Sequence, residues 1–156
     1  YTSRFLTLTK GTGVINRIFH GYGKFEGEMD GRKNGALISM ATGKAVAFAI
    51  FNLQARGEMF VTHNDPVYEG MIVGLAPKPG DMIINVMKGK QLTNMRTQGT
   101  DENVVLTPVR QMSIAEQLSM LNTDEALEIT PKSLRLRKAI LNPNDRKKNE
   151  KSSTPL

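Results

Sequence analysis

The sequence predicts an α+β fold, a strand-rich and turn-rich domain with a partly closed β-sheet and a few short helices. Three observations lead to this class. Short apolar segments recur along most of the chain, turns containing glycine or proline separate them at close intervals, and a capping signal with helical spacing occurs near residue 113. The 156 residues, 39% of them hydrophobic, are enough for one domain with its own core.

The first half of the chain alternates between predicted strands and turns. An apolar run at 45–53 is compatible with either a buried strand or a buried helix, and we favour a strand to residue 51 followed by a helical turn over 52–57. Glycines and acidic residues dominate 26–35, which predicts a linker. The other strands expected in this half are 14–19, 36–40, 58–62, 67–76 and 82–87.

The second half begins with a polar segment at 88–103 that has no apolar stripe. Ser113 and Glu116 have the spacing of a capping box, which predicts the start of a helix. The remaining elements are a strand at 104–109, a hairpin formed by 127–130 and 133–136, and a disordered basic tail at 147–156.

The net charge of +6 lies entirely at the C-terminal end. Through residue 130, thirteen Lys and Arg residues balance thirteen Asp and Glu residues, whereas eight basic and two acidic residues follow. A neutral body with a basic end indicates a polyanionic partner, with nucleic acid the commonest kind. A solvated tail would show the same charge pattern, so both interpretations stay open.

Composition argues against several chemistries. The chain has no cysteine and only two histidines, which excludes disulfides, thiol catalysis and a histidine-rich metal site and fits a reducing, cytoplasmic compartment. No apolar run approaches the length of a membrane span. His63 lies near Asp65 and Glu69 but no nucleophile accompanies it. We predict no catalytic, cofactor-binding or metal-binding residue, and a hydrolase or transferase would need a pocket that joins His63 to a nucleophile.

The segment 88–100 is the strongest candidate binding site. It carries three cations and no acid, interleaved with amides and hydroxyls that can reach RNA bases, sugars and phosphates. We expect Lys88, Lys90 and Arg96 to bind phosphates, Gln91, Thr93, Asn94 and Thr100 to form hydrogen bonds, and Gly89 and Gly99 to allow close backbone approach. A mobile hairpin loop without a ligand is the alternative.

Four further cations are expected as secondary contacts with nucleic-acid phosphates. If 133–138 is a strand, Arg135 and Arg137 share one face while Leu134, Leu136 and Lys138 share the other. Cations that keep the edge of a sheet from pairing with another chain would show the same alternation, so that interpretation stays open. The predicted secondary contacts are Arg110, Arg135, Arg137 and Lys138.

Several blocks together resemble the C-terminal part of the bacterial translational GTPases of the TypA/BipA family, over essentially the whole chain. These blocks are Gly35-Ala36-Leu37-Ile38-Ser39, Gly43-Lys44-Ala45-Val46-Ala47-Phe48-Ala49, Leu53-Gln54-Ala55-Arg56-Gly57, Val67-Tyr68-Glu69-Gly70, Leu92-Thr93-Asn94-Met95-Arg96 and Gly99-Thr100-Asp101-Glu102. Leu8-Thr9-Lys10-Gly11 resembles the end of the ferredoxin-like fifth domain that the family shares with elongation factor G.

The resemblance implies a fragment, in agreement with a first residue that is Tyr1 and not Met. It implies the end of a ferredoxin-like domain at 1–25, a family-specific C-terminal domain at 26–146 and the basic tail at 147–156. GTP and Mg²⁺ would be bound by a G domain absent from this chain, so the fragment itself would not be an enzyme.

The resemblance also implies a role in ribosome assembly and in adaptation to stress or low temperature. The loop at 87–108 would contact the acceptor arm of A-site tRNA and ribosomal RNA near the peptidyl-transferase centre. Gln91 and Gln98 depart from the residues expected in that loop. A protein-interaction module that recruits ribosomal proteins or an acidic partner is the alternative function.

Overall fold

A computed structural model describes residues 2–25, 32–89 and 105–153. The chain divides into two compact units, Tyr1–Asp30 and Gly31–Leu156. The second unit has mixed helix and strand content, and its described strands form one sheet of four strands and two sheets of two. The predicted α+β class is therefore confirmed, and none of these described sheets closes into a barrel.

The first unit contains helix α1 (Thr2–Leu8) followed by a chain without regular structure to residue 25. Lys10 and Gly11 have positive φ and end the helix, where the Gly11 N–H donates to the Leu6 carbonyl. The strand predicted at 14–19 is not present, and Ile18 is 93% exposed. A strand needs a hydrogen-bonded partner, and within the described part of this unit the apolar segment has none.

The main sheet of the second unit is built around two buried strands. Its four strands are β1 (Ala36–Ser39), β3 (Glu58–Met59), β5 (Ile72–Leu75) and β6 (Met82–Ile84), and β2 (Gly43–Lys44) pairs separately with β4 (Pro66–Val67). The order in the main sheet is β3-β5-β1-β6, where β1 pairs antiparallel with β5 and parallel with β6. All residues of β1 and β5 are buried, as the apolar runs predict.

The run at 45–53 forms helix α2 (Ala47–Gln54), so the predicted strand is wrong. Its exposure has a helical distribution, because Ala49 and Ile50 are buried while Phe51 is half exposed. Just before the helix, the backbone already has a hydrogen-bond partner, because the Val46 N–H donates to the Val86 carbonyl. The segment 105–109 also lacks the predicted strand.

The second half of this unit contains the predicted helix and hairpin. Helix α3 (Ile114–Ser119) begins with the expected capping box of Ser113 and Glu116. Strands β7 (Glu125–Ile129) and β8 (Leu134–Lys138) form the hairpin, and Met71 bridges β8 to the main sheet next to β5. Both elements are confirmed.

Helix α4 (Pro143–Ser153) occupies most of the segment expected to be disordered, so that expectation is wrong for residues 147–153. The Asn142 side chain accepts hydrogen bonds from the Asn144 and Asp145 N–H groups, and Pro143 starts the helix. Arg146 ties the first turn to the body by donating to the Ile140 and Leu141 carbonyls. Capping and this attachment compensate for the lack of an apolar face.

Two apolar clusters form the core. The larger one lies between α2 and the main sheet and includes Leu37, Ile50, Val73 and Val86. The smaller one joins the sheet to the hairpin through Ile38, Ile72 and Leu136. Among the described residues, no helix combines the length and apolar character that a membrane span requires.

Candidate nucleic-acid interface

The polar loop leaves the body at a firmly held point. Val86 is fully buried, and the Met87 N–H donates to Asn85 Oδ1 at 2.9 Å. Met87 packs against the larger core cluster and against Gly43, where a Cβ atom would collide with the Met87 sulfur. Lys88 and Gly89 come next and are exposed, so the segment predicted to bind phosphates starts at the surface.

The loop returns to the body at a second anchor. Gln54, the last residue of α2, donates to the Thr107 carbonyl at 2.8 Å and accepts from its N–H at 3.1 Å. Leu106 packs against the larger core cluster, whereas Val105 is 78% exposed. The Val46 N–H, just before α2, donates to the Val86 carbonyl, so the two anchors of the loop lie at opposite ends of this helix, about 12 Å apart along its axis.

Most of the predicted loop contacts lie outside the described residues. These are Lys90, Gln91, Thr93, Asn94, Arg96, Gly99 and Thr100. Their roles stay predictions, whereas Lys88 and Gly89 are placed at the exposed base of the loop.

Arg110 is partly exposed and contacts two carboxylates loosely. Its guanidinium lies 3.4 Å from Glu116 Oε1 and 3.7 Å from Glu58 Oε2. Hydrogen bonds from Ser113, first the backbone N–H and then the hydroxyl, lower the pKa of Glu116, and Arg110 contributes less. Exposed ion pairs of this length are weak, so a phosphate can replace the carboxylates.

Arg135 and Arg137 lie on one strand at alternate positions, as the sequence predicts, but Glu128 is opposite Arg135. The Arg135 guanidinium lies 3.6 Å from Glu128 Oε1, and Arg137 donates to the Lys138 carbonyl. The Tyr68 hydroxyl donates to Glu128 Oε2 at 2.6 Å. Burial, followed by this hydrogen bond to a carboxylate, raises the pKa of Tyr68 to about 12.

Lys138 is buried, so the expectation that it contacts RNA does not hold in this fold. Its ammonium lies 2.5 Å from Asp81, 2.6 Å from Asp124 and 3.1 Å from Glu125, which itself forms two hydrogen bonds with Arg32. Arg32, Asp81 and the adjacent pair Asp124 and Glu125 come from three separate parts of the chain, and the sequence analysis did not predict this network. The signal that could have found the site is the position of Lys138 on the apolar face of its strand.

The pKa values in this network follow from opposing effects. Burial alone would lower the pKa of Lys138, but hydrogen bonds to Asp124, Asp81 and Glu125 outweigh it and raise that pKa. Burial would likewise raise the pKa of Asp81, yet hydrogen bonds from the Ala36 N–H and Lys138 lower it overall. Asp81 and Lys138 are therefore both held in their charged forms near neutral pH.

Arg110 and Arg135 converge on one groove, although 25 positions separate them. The groove has a volume of about 790 Å³ and lies between the hairpin turn, the segment before α3 and the segment after β3. Its apolar wall includes Phe60 and Met112, and the exposed Lys132 adds a third cation. The sequence analysis missed this groove because its walls come from distant segments.

The groove also contains a polar group without a partner. Gln117 is 8% exposed, and its Nε2 donates to the Met112 carbonyl at 3.3 Å. That bond fixes the orientation of the amide, and the buried Oε1 accepts no hydrogen bond from the described residues. Such an unsatisfied acceptor is uncommon in a folded interior.

His63 is exposed in a turn, and Asp65 accepts a hydrogen bond from the Thr62 N–H. In the ranges that the structure describes, no group of His, Cys, Asp and Glu residues could hold a metal ion.

Residues 34–143, which include the three described sheets, the groove and both ends of the loop, match the family model of the TypA/BipA C-terminal domain. The chain therefore belongs to the TypA/BipA family, as the resemblance of its sequence blocks implied.

The chain is 47% identical over its full length to a protein of Buchnera aphidicola subsp. Schizaphis graminum named "Large ribosomal subunit assembly factor BipA". It is 46% identical, over 95% of its length, to proteins of that name from Salmonella typhimurium and from Escherichia coli strain K12. The chain spans only about a quarter of the length of these relatives.

Proposed function

We propose that this chain is the ribosome-contacting C-terminal region of a translational GTPase that takes part in assembly of the large ribosomal subunit, and that it acts by binding RNA. Family membership and the name of its relatives support this proposal. GTP and Mg²⁺ would bind a G domain outside this chain, and the whole protein would act in the cytoplasm. No residue of this chain would have a catalytic role.

The anchored polar loop is the observation that carries the proposal. Its two ends are held at opposite ends of α2, by the Val86 and Thr107 backbones. Between these anchors lies a polar segment whose residues 88–100 carry three cations and no acid. In the finer proposal, Lys88, Lys90 and Arg96 bind phosphates of the tRNA acceptor arm and of ribosomal RNA near the peptidyl-transferase centre.

The hairpin and the segment before α3 would supply secondary contacts. Arg110 and Arg135 are partly exposed and hold their carboxylates at 3.4 Å or more, which leaves them able to exchange partners. Arg137 is half-buried and would contribute mainly through its charge. Lys138 is not part of this proposed interface because its ammonium is enclosed by three carboxylates.

The test compares two triple variants with the same charge change. Lys88→Ala, Lys90→Ala and Arg96→Ala should weaken binding of the chain to purified large subunits at least tenfold, measured by co-sedimentation at low salt. The control is Lys33→Ala, Lys44→Ala and Lys78→Ala, three exposed lysines. Their side chains form no ion pair or hydrogen bond within the described part of the chain.

The control should change binding by less than threefold, because it alters only the long-range field. Equal losses in the two triple variants would mean that net charge alone drives binding, and would contradict the loop assignment. Binding that neither salt nor these variants affects would favour the protein-interaction module.

A further inference from the structure

The groove beside the hairpin turn has the size and lining of a ligand site. Its volume of about 790 Å³ lies within the range of small-molecule pockets, and apolar side chains form most of its wall. Phe60 and Met112 pack against the smaller core cluster, so this wall belongs to a firmly packed part of the domain. Lys88 and Gly89, the described residues of the polar loop, do not line the groove.

The charges at the groove favour an anion. Among the described residues that line it, Arg110, Lys132 and Arg135 are cationic and Asp65 is the one acid. Asp65 already accepts a hydrogen bond from the Thr62 N–H at 2.7 Å. The two arginines contact carboxylates only at 3.4 to 3.7 Å, and these contacts can exchange with phosphate oxygens.

The unpaired acceptor of Gln117 calls for a ligand with an N–H group. A buried carbonyl oxygen without a donor is costly to the folded chain, and a ligand that supplies the donor removes this cost. Because its neighbours enclose Oε1, a ligand in the groove reaches it when the Gln117 side chain, which a single 3.3 Å bond from Nε2 to the Met112 carbonyl holds, turns toward the groove.

We infer that this groove binds a single unstacked nucleotide of RNA that carries an amino-bearing base. The base lies against Phe60 and Met112, and its amino group donates to Gln117 Oε1. The phosphates lie near three cations, Arg110, Lys132 and Arg135. Unstacked bases are the usual targets of sequence-dependent RNA recognition, through stacking on aromatic rings and hydrogen bonds to the base edge. The inference rests on the proposed function and adds a second, base-reading site to the phosphate-binding loop.

The probe is adenosine 5′-monophosphate, titrated into the ¹⁵N-labelled chain at low salt and followed by NMR. Its comparison ligand is purine riboside 5′-monophosphate, which lacks only the 6-amino group. We expect saturable shifts in residues that line the groove and about tenfold weaker binding of the ligand without the amino group, the effect of one lost hydrogen bond to a buried acceptor.

Gln117→Met keeps the length of the side chain and removes the amide. This variant should bind the two nucleotides equally and melt at the same or a higher temperature, because an unsatisfied acceptor has been removed. Phe60→Leu, which keeps an apolar wall without the ring, should weaken the binding of both nucleotides. The double variant Lys132→Gln with Arg135→Gln should weaken their binding more than the control double variant Lys33→Gln with Lys78→Gln.

Three results would overturn the inference: no saturable shift at the groove, equal binding of the two ligands to the original chain, or preference of the groove for an acidic peptide over the nucleotide. The binding of the same variants to large subunits separates this inference from the proposed function. If the loop triple variant loses subunit binding while the groove does not bind nucleotide, only the inference fails. If nucleotide binds the groove while neither triple variant affects subunit binding, only the loop assignment fails.

Discussion

At the scale of single residues, burial decides what each cation of the C-terminal end can do. Lys132 and Lys138 lie on one hairpin, yet Lys132 is exposed at the turn while Lys138 is 2% exposed among three carboxylates. The alternation along β8 already assigned Lys138 to the apolar face. What the sequence could not indicate is that Asp81, Asp124 and Glu125 meet there, because that depends on how the hairpin packs against the main sheet.

Loss of the Lys138 charge should destabilise the domain. Lys138→Met leaves the side chain of Glu125, which is fully buried, without one of its two cationic partners. We expect the free energy of unfolding to fall by about 3–5 kcal/mol, the range for breaking a buried ion pair. Urea unfolding followed by circular dichroism measures this. Lys132→Met is the matched control and should change stability by less than about 0.5 kcal/mol.

The same network predicts how stability depends on pH. The pKa of Asp81 is lowered by folding, so its contribution is complete above the unfolded value near ~3.9 and is lost as pH falls through the folded value. The pKa of Lys138 is raised, so its contribution is complete below ~10.4 and is lost as pH rises through the folded value.

The melting temperature should therefore be flat near neutral pH and fall at both extremes. Asp81→Asn should make the fall on the acid side shallower, because one carboxylate that must be protonated has been removed. Thermal melts from pH 2 to 7 measure this slope. Parallel acid slopes for the original chain and the variant would mean that Asp81 does not contribute to the dependence.

At the scale of elements, the sequence correctly predicted those elements that interactions between neighbouring residues stabilise. The Ser113 and Glu116 capping box and the hairpin turn are formed by residues three positions apart, and both elements are present where the sequence places them. Helix α2 was predicted as a strand because a continuously apolar run shows neither helical nor strand periodicity. Backbone hydrogen bonds to distant residues such as Val86 favour the helix over the strand. Helix α4 was not predicted, because its polar sequence has no apolar stripe and therefore indicated disorder.

Helix α4 should depend on the Asn142 cap. Asn142→Ala removes the side-chain oxygen that accepts from the Asn144 and Asp145 N–H groups, which costs about 1 kcal/mol. Amide hydrogen exchange at Lys147 and Lys148 should accelerate about fivefold, as that energy implies for local opening. Asn144→Ala, in the same turn, is the control, and equal acceleration in both variants would contradict the capping role.

At the scale of the whole molecule, the candidate interface has one part that composition reveals and one part that it does not. The loop is evident in the sequence because its residues 88–100, with three cations and no acid, interrupt a series of apolar segments. The groove joins Phe60, Gln117 and Arg135, and only the packing of β8 beside β5 brings these residues to one place. In isolation none of them differs from an ordinary surface or core residue.

The most direct test of the central claim is the salt dependence of binding to purified large ribosomal subunits, for the original chain and for the Lys88→Ala, Lys90→Ala, Arg96→Ala variant. Each phosphate contact contributes roughly 0.7 to 0.9 to the slope of log affinity against log salt concentration, so three lost contacts should reduce the slope by about 2 to 3. The Lys33→Ala, Lys44→Ala, Lys78→Ala control should keep the original slope. If the loop variant keeps the slope as well, the loop does not bind phosphates and the account of this chain as an RNA-binding domain through that loop is contradicted.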